Sequence, residues 1–336
     1  MNLTYVKRHS LFLLIFFVIF GLNLNSASGK EGSELGSWLK TLRTEALGKN
    51  ISKITFNKAF DGFVPIKRII ELDRKQPEFS MTFKKYLNHV IPGSRIKRGK
   101  IKYRENKKLL DEIGKKYGIQ PRFIVAFWGI ESSFGRHFGG FPVVHSLATL
   151  AFDGRRSNFF RGELFRALRI LNEGHISHGQ MLGSWAGAMG NFQFMPSSFE
   201  NFAVDYDGDG KRDIWNNRAD AFASAANYLM KSGWKSAENW GREVTLPKGF
   251  DKRLVTKNNK KKINEWQSIG VRKVNGKNLP ASNLRAYLVE AYNKKSEKFG
   301  KIYLVYNNYE VTLKWNRSTF FALAVGLLAD QLKIVE

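Results

Sequence analysis

The chain has 336 residues, of which 43% are hydrophobic and 14% aromatic, so it can bury a sizeable core and is not a disordered protein. It contains no cysteine, which excludes a disulfide framework, thiol catalysis, a cysteine-ligated metal and a lipidated cysteine. A net charge of +26 favours anionic partners such as cell-wall polymer, but no nucleic-acid module is recognisable, so we expect no nucleic-acid partner.

The N-terminus has the pattern of a secretory signal. Basic residues at 7–9 precede an apolar run over 11–22, and small residues follow at 26–28. We therefore predict a signal peptide over 1–28 and a mature protein located in the periplasm, with no stable membrane anchor after cleavage. An uncleaved anchor is the alternative, although the apolar run is short for a membrane span.

The next two regions have helical periodicity. An N-terminal helical region over 29–100 should contain short amphipathic helices near 35–47, 55–60 and 79–90. A core over 101–240 should contain a long amphipathic helix over 103–117, a buried helix from Pro121 towards Gly135, and helices over 159–172 and 219–232.

Residues 241–312 change to short β-rich runs, one of them beginning at Trp266, and are predicted to form a small β-rich subdomain. Residues 305–311 predict a hairpin with Asn307 and Asn308 in its turn. A last helix, within 313–336 and beginning near Ser318, should return to the core. The fold class is thus α+β, mainly α, with a small β-rich insert before the closing helix.

Glu131 is the most informative residue of the chain. It follows a helix that is apolar on every face after Arg122, and such a helix is buried. Desolvation should raise the pKa of a carboxylate there, which suits a general acid. A structural glutamate that is neutralised by an arginine, or that caps a nearby helix, is the alternative.

A second segment, 183–198, combines glycines with neutral polar groups. Gly183, Gly187 and Gly190 permit a tight backbone and close approach of a ligand. Ser184 and Gln193 offer hydrogen bonds to a polar ligand. The segment also supplies an apolar wall, formed by Phe192, Phe194 and Met195. This combination suits a sugar ring. The alternative is a tight turn that packs only against its neighbours.

An acidic segment follows. Asp205, Asp207, Asp209 and Gly210 match positions 1, 3, 5 and 6 of an EF-hand calcium loop, but position 12 is Asn216 instead of the closing glutamate. The alternative is a solvated acidic turn.

Several of these segments together resemble one known family. The main segments are 129–135 around Glu131, 186–190 and 193–198. The supporting segments are 72–78, 146–150, 155–156, 226–228 and 315–318. In this order they are similar to the membrane-bound lytic murein transglycosylase B family, over about residues 37–332.

This resemblance implies a lysozyme-like core that cuts peptidoglycan glycan strands without water. Glu131 would act first as acid and then as base, and the muramoyl products would end in 1,6-anhydro rings. The matching substrate-contacting positions are Ser184, Gln193, Tyr228, Trp315 and Asn316. The family usually has tyrosine in place of Trp315, and Phe321 also stands at an aromatic position of the family, without a phenolic hydroxyl. Stacking on sugar would survive both changes, whereas particular hydrogen bonds would not.

The resemblance also implies an elongated calcium loop over 205–220, closed by Asp220. The predicted ligands are Asp205, Asp207, Asp209, Lys211 and Asp220, where Lys211 stands at loop position 7, which supplies a backbone carbonyl in EF-hands. Calcium would be structural, since the chemistry needs no cofactor. We expect a monomer.

Two other functions remain open. A hydrolysing muramidase normally needs a second carboxylate, for which Asp153, Glu163 and Glu200 are candidates. A non-catalytic wall-binding protein would use the basic surface and aromatic residues only to hold glycan, but an unused buried acid would cost stability.

Overall fold

The computed structural model describes residues 24–75, 81–291 and 300–333. The chain divides into two compact units, 1–45 and 46–336. The helix α1 (Leu24–Gly48) supplies the described part of the first unit, and residues 1–23 of the predicted signal peptide lie outside the described residues. Within the described ranges, no helix has the length and apolar character needed to cross a membrane.

The second unit is mainly helical, as predicted. Its helices in the described ranges are α2 (Lys53–Ala59), α3 (Lys67–Arg74), α4 (Phe83–Val90), α5 (Gly93–Glu105), α6 (Lys107–Tyr117), α7 (Pro121–Ser132), α8 (Val143–Phe152), α9 (Ser157–Asn172), α10 (Pro196–Phe202), α11 (Arg218–Lys231), α12 (Ile263–Ser268), α13 (Asn307–Trp315) and α14 (Thr319–Gln331).

The single helix predicted over 103–117 is wrong, because the chain breaks at Asn106. Asn106 ends α5 and precedes α6, and its buried side chain donates to the Lys102 carbonyl at 2.8 Å. A side chain that bonds a backbone carbonyl competes with the helical ladder, which explains the break. The α7 prediction is confirmed: Pro121 occupies its first turn, and residues 123–129 are buried among α5, α6, α11 and α14.

The β-rich insert is a five-stranded antiparallel sheet. Its strands are β3 (Gly241–Thr245), β4 (Lys261–Lys262), β5 (Arg272–Lys273), β6 (Arg285–Glu290) and β7 (Ile302–Val305), in the order β4-β6-β7-β3-β5. Trp266 is fully buried in the core of this sheet, but it lies on α12, so the strand predicted there is wrong. Its Nε1 donates to the Ala286 carbonyl at 2.9 Å, which ties α12 to β6.

The predicted hairpin at 305–311 is also wrong, because α13 begins at Asn307. Asn308 is fully buried and bonds the backbone of a distant loop: its Oδ1 accepts from Lys235 N at 2.8 Å, and its Nδ2 donates to Lys235 O and Glu238 O. These tertiary bonds satisfy an amide that local chemistry would place in a turn. The closing helix α14 is confirmed, with Ser318 as its N-cap. The predicted region boundaries at 100, 240 and 312 stay predictions.

A second, smaller sheet lies next to the glycine-rich segment. β1 (Phe141–Pro142) pairs antiparallel with β2 (Leu182–Gly183), and Met189 forms bridges with both Gly183 and Phe194. The segment therefore curls back on itself directly after β2.

Candidate active site

Glu131 lies in the last turn of the buried helix α7, and its side chain is partly exposed. The helix ends at Ser132, three residues before the predicted Gly135, and Ser133 is its C-cap. Ser133, Phe134 and Gly135 all have left-handed backbone, with φ of 53°, 63° and 76°. For the two residues that are not glycine, this conformation costs roughly 1–2 kcal/mol each, so tertiary contacts must hold the turn. The turn therefore fixes one carboxylate at the open end of an apolar helix.

One described partner of that carboxylate is Trp315, at the C-terminal end of α13. Its Nε1 donates to Glu131 Oε1 at 2.8 Å. An indole nitrogen is a donor only, so this bond holds the carboxylate as an acceptor and orients it. The tryptophan thus brings a hydrogen bond of its own at a position where the resembled family has tyrosine.

Aromatic rings surround Trp315 on several sides. Its ring centroid lies 4.6 Å from Phe127, 5.3 Å from Phe194 and 4.6 Å from Tyr228. Phe192 and Phe194 are buried, so they support the indole from behind, and of the predicted apolar wall only Met195 is partly exposed. The cluster holds the indole in one orientation towards Glu131.

Asn191 connects the Glu131 helix to the glycine-rich segment, and the sequence reasoning missed it. Its Oδ1 accepts from Trp128 Nε1 at 2.8 Å, while its Nδ2 donates to the carbonyls of Ile214 and Trp215. Ser132, next to Glu131, donates to the Asn191 carbonyl at 2.6 Å. A lone amide between Gly190 and Phe192 was the available signal, because a buried amide must find partners.

The glycines of this segment serve internal packing. A Cβ on Gly187 (φ 86°) would lie 2.5 Å from a Leu147 methyl, and one on Gly190 (φ 67°) would lie 2.6 Å from the Ile214 carbonyl oxygen. The atoms that require glycine at these two positions thus belong to the protein itself. The prediction that these glycines permit a tight backbone is confirmed. The prediction that they allow a ligand to approach closely stays a prediction.

Ser184 and Gln193 are both partly exposed. Ser184 Oγ accepts from Ala188 N at 3.0 Å. Gln193 has φ of 50°, and its Nε2 donates to the carbonyls of Phe138 and Gly190 at 3.0 and 3.1 Å. Both of these bonds use the amide nitrogen, whereas the Gln193 carbonyl oxygen is the atom that can accept from a hydroxyl.

Tyr228, Asn316 and Phe321 differ in their access to solvent. Tyr228 is partly exposed, and its hydroxyl donates to the Lys314 carbonyl at 2.8 Å. Burial raises the pKa of this phenol, so it stays a donor at neutral pH. Asn316 is exposed and accepts from Ser318 N at 3.0 Å. Phe321 is buried against Phe127, so it supports the wall from inside.

The three candidates for a second carboxylate are each held by other partners. Asp153 forms an ion pair with Arg74 at 2.9 Å. Glu163 is buried and accepts from Ser197 N at 2.8 Å. Glu200 binds Arg166 at 2.9 Å and also Arg169. These contacts assign structural roles to all three.

The acidic loop brings together the three aspartates that its spacing predicted and Asp220, which the resemblance implied. Carboxylate oxygens of Asp205, Asp207, Asp209 and Asp220 all lie within 4.8 Å of one another, and only Asp220 of these is buried. Two oxygens on opposite sides of one calcium ion are about 4.6–5.2 Å apart, so the spacing fits that ion. An all-oxygen donor set is also the one that calcium prefers.

Asp220 is the residue that links this loop to the core. It stands in the first turn of α11, and its two oxygens accept from Tyr206 N at 2.7 Å and Asp213 N at 2.8 Å. Burial, and then the charges of Asp207 and Asp205, raise its pKa to about 6 against the bonds from those two N–H groups. Lys211 N donates to Asp209 Oδ1 at 2.8 Å, which leaves the Lys211 carbonyl as its contribution at loop position 7.

The family model described as the transglycosylase SLT domain matches residues 34–330. Membrane-bound lytic murein transglycosylase B of Escherichia coli K12 is 31% identical over 254 residues, which is 73% of this chain and 66% of that protein. The chain thus covers slightly less than two thirds of the length of that relative.

Solved structures share the fold. SltB3 of Pseudomonas aeruginosa, in complexes with NAG-anhNAM-pentapeptide and with NAG-NAM-pentapeptide, is 43% identical with a TM-score of 0.85, over 89% of this chain and 79% of SltB3. The E. coli lytic transglycosylase Slt35 in complex with calcium is 24% identical with a TM-score of 0.72, over 89% of this chain and 92% of Slt35, a level that shows the fold alone. The predicted fold class is confirmed.

Proposed function

The chain belongs to the transglycosylase SLT domain family, and we propose that it cleaves the β-1,4 bond between N-acetylmuramic acid and N-acetylglucosamine in peptidoglycan without water. The observation that carries this proposal is the position of Glu131, a partly exposed carboxylate in the last turn of the buried helix α7 whose Oε1 accepts from the Trp315 indole. The relatives named above support the substrate class.

Glu131 acts twice on the proposed path. As an acid it gives its proton to the glycosidic oxygen, so that the bond to C1 of the muramoyl ring breaks and the glucosamine end leaves as an alcohol. As a base it then takes the proton of the muramoyl 6-hydroxyl, whose oxygen bonds to C1 and closes the 1,6-anhydro ring. One proton is given and one recovered, so the enzyme ends as it began and no water is consumed.

The neighbours of Glu131 position the reacting groups. The Trp315 indole donates to Oε1 and so orients the carboxylate. Ser184, Gln193 and Asn316 offer hydrogen bonds to sugar hydroxyl and acetamido groups, and the partly exposed rings of Tyr228 and Trp315 offer faces for stacking.

Two observations favour this reaction over hydrolysis and over simple binding. A hydrolase needs a second carboxylate beside the bond, and Asp153, Glu163 and Glu200 are all bound to other partners. A binding protein does not need an acid on a buried helix that ends in a strained turn.

The acidic loop holds a structural calcium ion in this proposal. Asp205, Asp207, Asp209 and Asp220 would bind through carboxylate oxygens, and Lys211 through its carbonyl oxygen. The ion would stabilise the connection into α11 and would take no part in the proton transfer. We further propose a monomer in the periplasm, released from its signal peptide.

Product analysis tests the function directly. Purified peptidoglycan is digested and the soluble fragments are weighed by mass spectrometry. Anhydro ends are lighter than reducing ends by one water. Release of anhydromuramoyl fragments is the expected result, while reducing muramic ends alone would establish a hydrolase, and no release at all would leave a binding protein.

A further inference from the structure

Two arginines on α5 lie near the turn that follows Glu131. Arg95 and Arg98 are three residues apart, so their side chains leave the helix on the same side. Both are partly exposed, and Arg98 Nη1 lies 3.5 Å from Ser133 Oγ. α5 packs directly against α7. Arg98 therefore lies beside the turn that follows the proposed acid, and Arg95 lies one helical turn before it on the same side of α5.

This pair has no counter-ion in the part of the chain that the structure describes. Arg95 donates to the Val90 carbonyl, and Arg98 bonds only the Ser133 hydroxyl. Arg122, by contrast, forms an ion pair with Asp330 at 2.8 Å. Burial, and then the nearby charge of Arg98, lower the pKa of Arg95, so both desolvation and repulsion act on the pair.

Such an arrangement costs free energy unless an anion offsets it. Removal of two like charges from water is unfavourable, and a bound anion restores the balance. A guanidinium is also suited to this role, because its planar set of N–H donors matches the two oxygens of a carboxylate. Lys97 and Lys100 on the same helix are exposed instead, as expected of solvated surface charge.

We propose that Arg95 and Arg98 bind a carboxylate of the peptide stem attached to the muramoyl residue. This inference rests on the proposed function, because only a peptidoglycan strand in the Glu131 site would bring such a peptide to this side of α5. The muramoyl ring carries its peptide through a lactyl group, and the stem contains free carboxylates. The arginine pair would thus make the enzyme prefer glycan that still carries stems.

The test compares two substrates of equal glycan length, with stem peptides and with the stems removed by an amidase. The readout is the ratio of their kcat/KM values. Arg98→Gln keeps N–H donors but loses the charge and should lower this ratio about tenfold, as expected for one charge-assisted hydrogen bond. Lys97→Gln removes the same charge from the neighbouring exposed residue and should keep the ratio within about twofold of wild type. Arg98→Lys should fall between them, because it keeps the charge without the planar fork.

An unchanged ratio in Arg98→Gln and in the double variant Arg95→Gln with Arg98→Gln would overturn the proposal. So would an equal loss in Lys97→Gln, since that result would mean general attraction by a basic surface. Failure of the proposed function would appear separately, as the absence of anhydro products from wild type. Titration of the Glu131→Gln protein with NAG-NAM-pentapeptide and with NAG-NAM measures the peptide preference without turnover.

Discussion

Glu131 accepts from an indole that is itself packed among aromatic rings, whereas Asp205, Asp207, Asp209 and Asp220 lie beside one another. The first carboxylate stands at the end of a buried apolar helix, where one acid can exchange a proton. The four aspartates repel one another in a short loop, where a cation would relieve the repulsion. The same functional group thus serves proton transfer or ion binding according to its neighbours.

The strongest test of this contrast removes the Glu131 carboxylate. Glu131→Gln should lower the cleavage rate by at least about 10³-fold, equivalent to about 4 kcal/mol in the barrier, because an amide neither gives nor takes the proton. Binding to sacculi and the melting temperature should stay close to wild type. Glu200→Gln is the matched control, since that carboxylate lies in an ion-pair cluster on the surface, and it should cleave normally. Normal turnover by Glu131→Gln would remove the basis of the mechanism.

The next test concerns the loop. Calcium at about 100 times its dissociation constant should stabilise the fold by about 3 kcal/mol. At the weak affinity typical of extracellular sites, this requires about 10–100 mM calcium. Thermal melting with calcium and with a chelator measures the effect, and Asp207→Asn with Asp209→Asn should abolish it. Loss of cleavage on chelation at a temperature where the fold is intact would contradict a purely structural ion.

Asp220 predicts a pH dependence of the metal-free protein. Its pKa is raised to about 6 in the fold, against an ordinary value of 3.8 in the unfolded chain. The folded state therefore holds this proton more tightly, and stability should fall by about 2 kcal/mol as pH rises from 4 to 6, then level off. Urea unfolding in chelator at several pH values measures this slope. The slope should be smaller in Asp220→Asn, and an equal slope would mean that other groups cause it.

The smallest expected effect comes from removing the indole that donates to Glu131. Trp315→Phe keeps a ring in the aromatic cluster but removes the donor to Glu131 Oε1. We expect kcat to fall about tenfold, equivalent to about 1.4 kcal/mol. Trp234→Phe removes a similar bond, to Gln120 Oε1 at 2.9 Å, and serves as the control. If both variants kept full kcat, the indole bond would have no part in positioning the acid.

The sequence predicts the local pattern of both regions. The ligand spacing of the acidic loop is local, so the positions of Asp205, Asp207 and Asp209 could be predicted from the pattern. The buried helix before Glu131 was equally visible in its run of apolar residues. These features depend on neighbours within a few residues along the chain.

What the sequence could not predict depends on contacts between distant residues. Asn308 looked like a turn residue, but its amide bonds the backbone of Lys235 and Glu238, so a helix forms there. The same helix carries Trp315 to Glu131, across a separation of 184 residues. The hydrogen bonds of Asn191 likewise join three segments of the chain. Local propensity cannot register such partners.

Trp315 lies 184 residues after Glu131 in the sequence. A chain that emerges from its N-terminus presents Glu131 before α13 is made, so the emerging acid has no indole to orient it. We expect full activity only after α14 has packed against α7 and Trp315 has reached Glu131. A protease that removed α13 and α14 should therefore lower the activity of the finished enzyme.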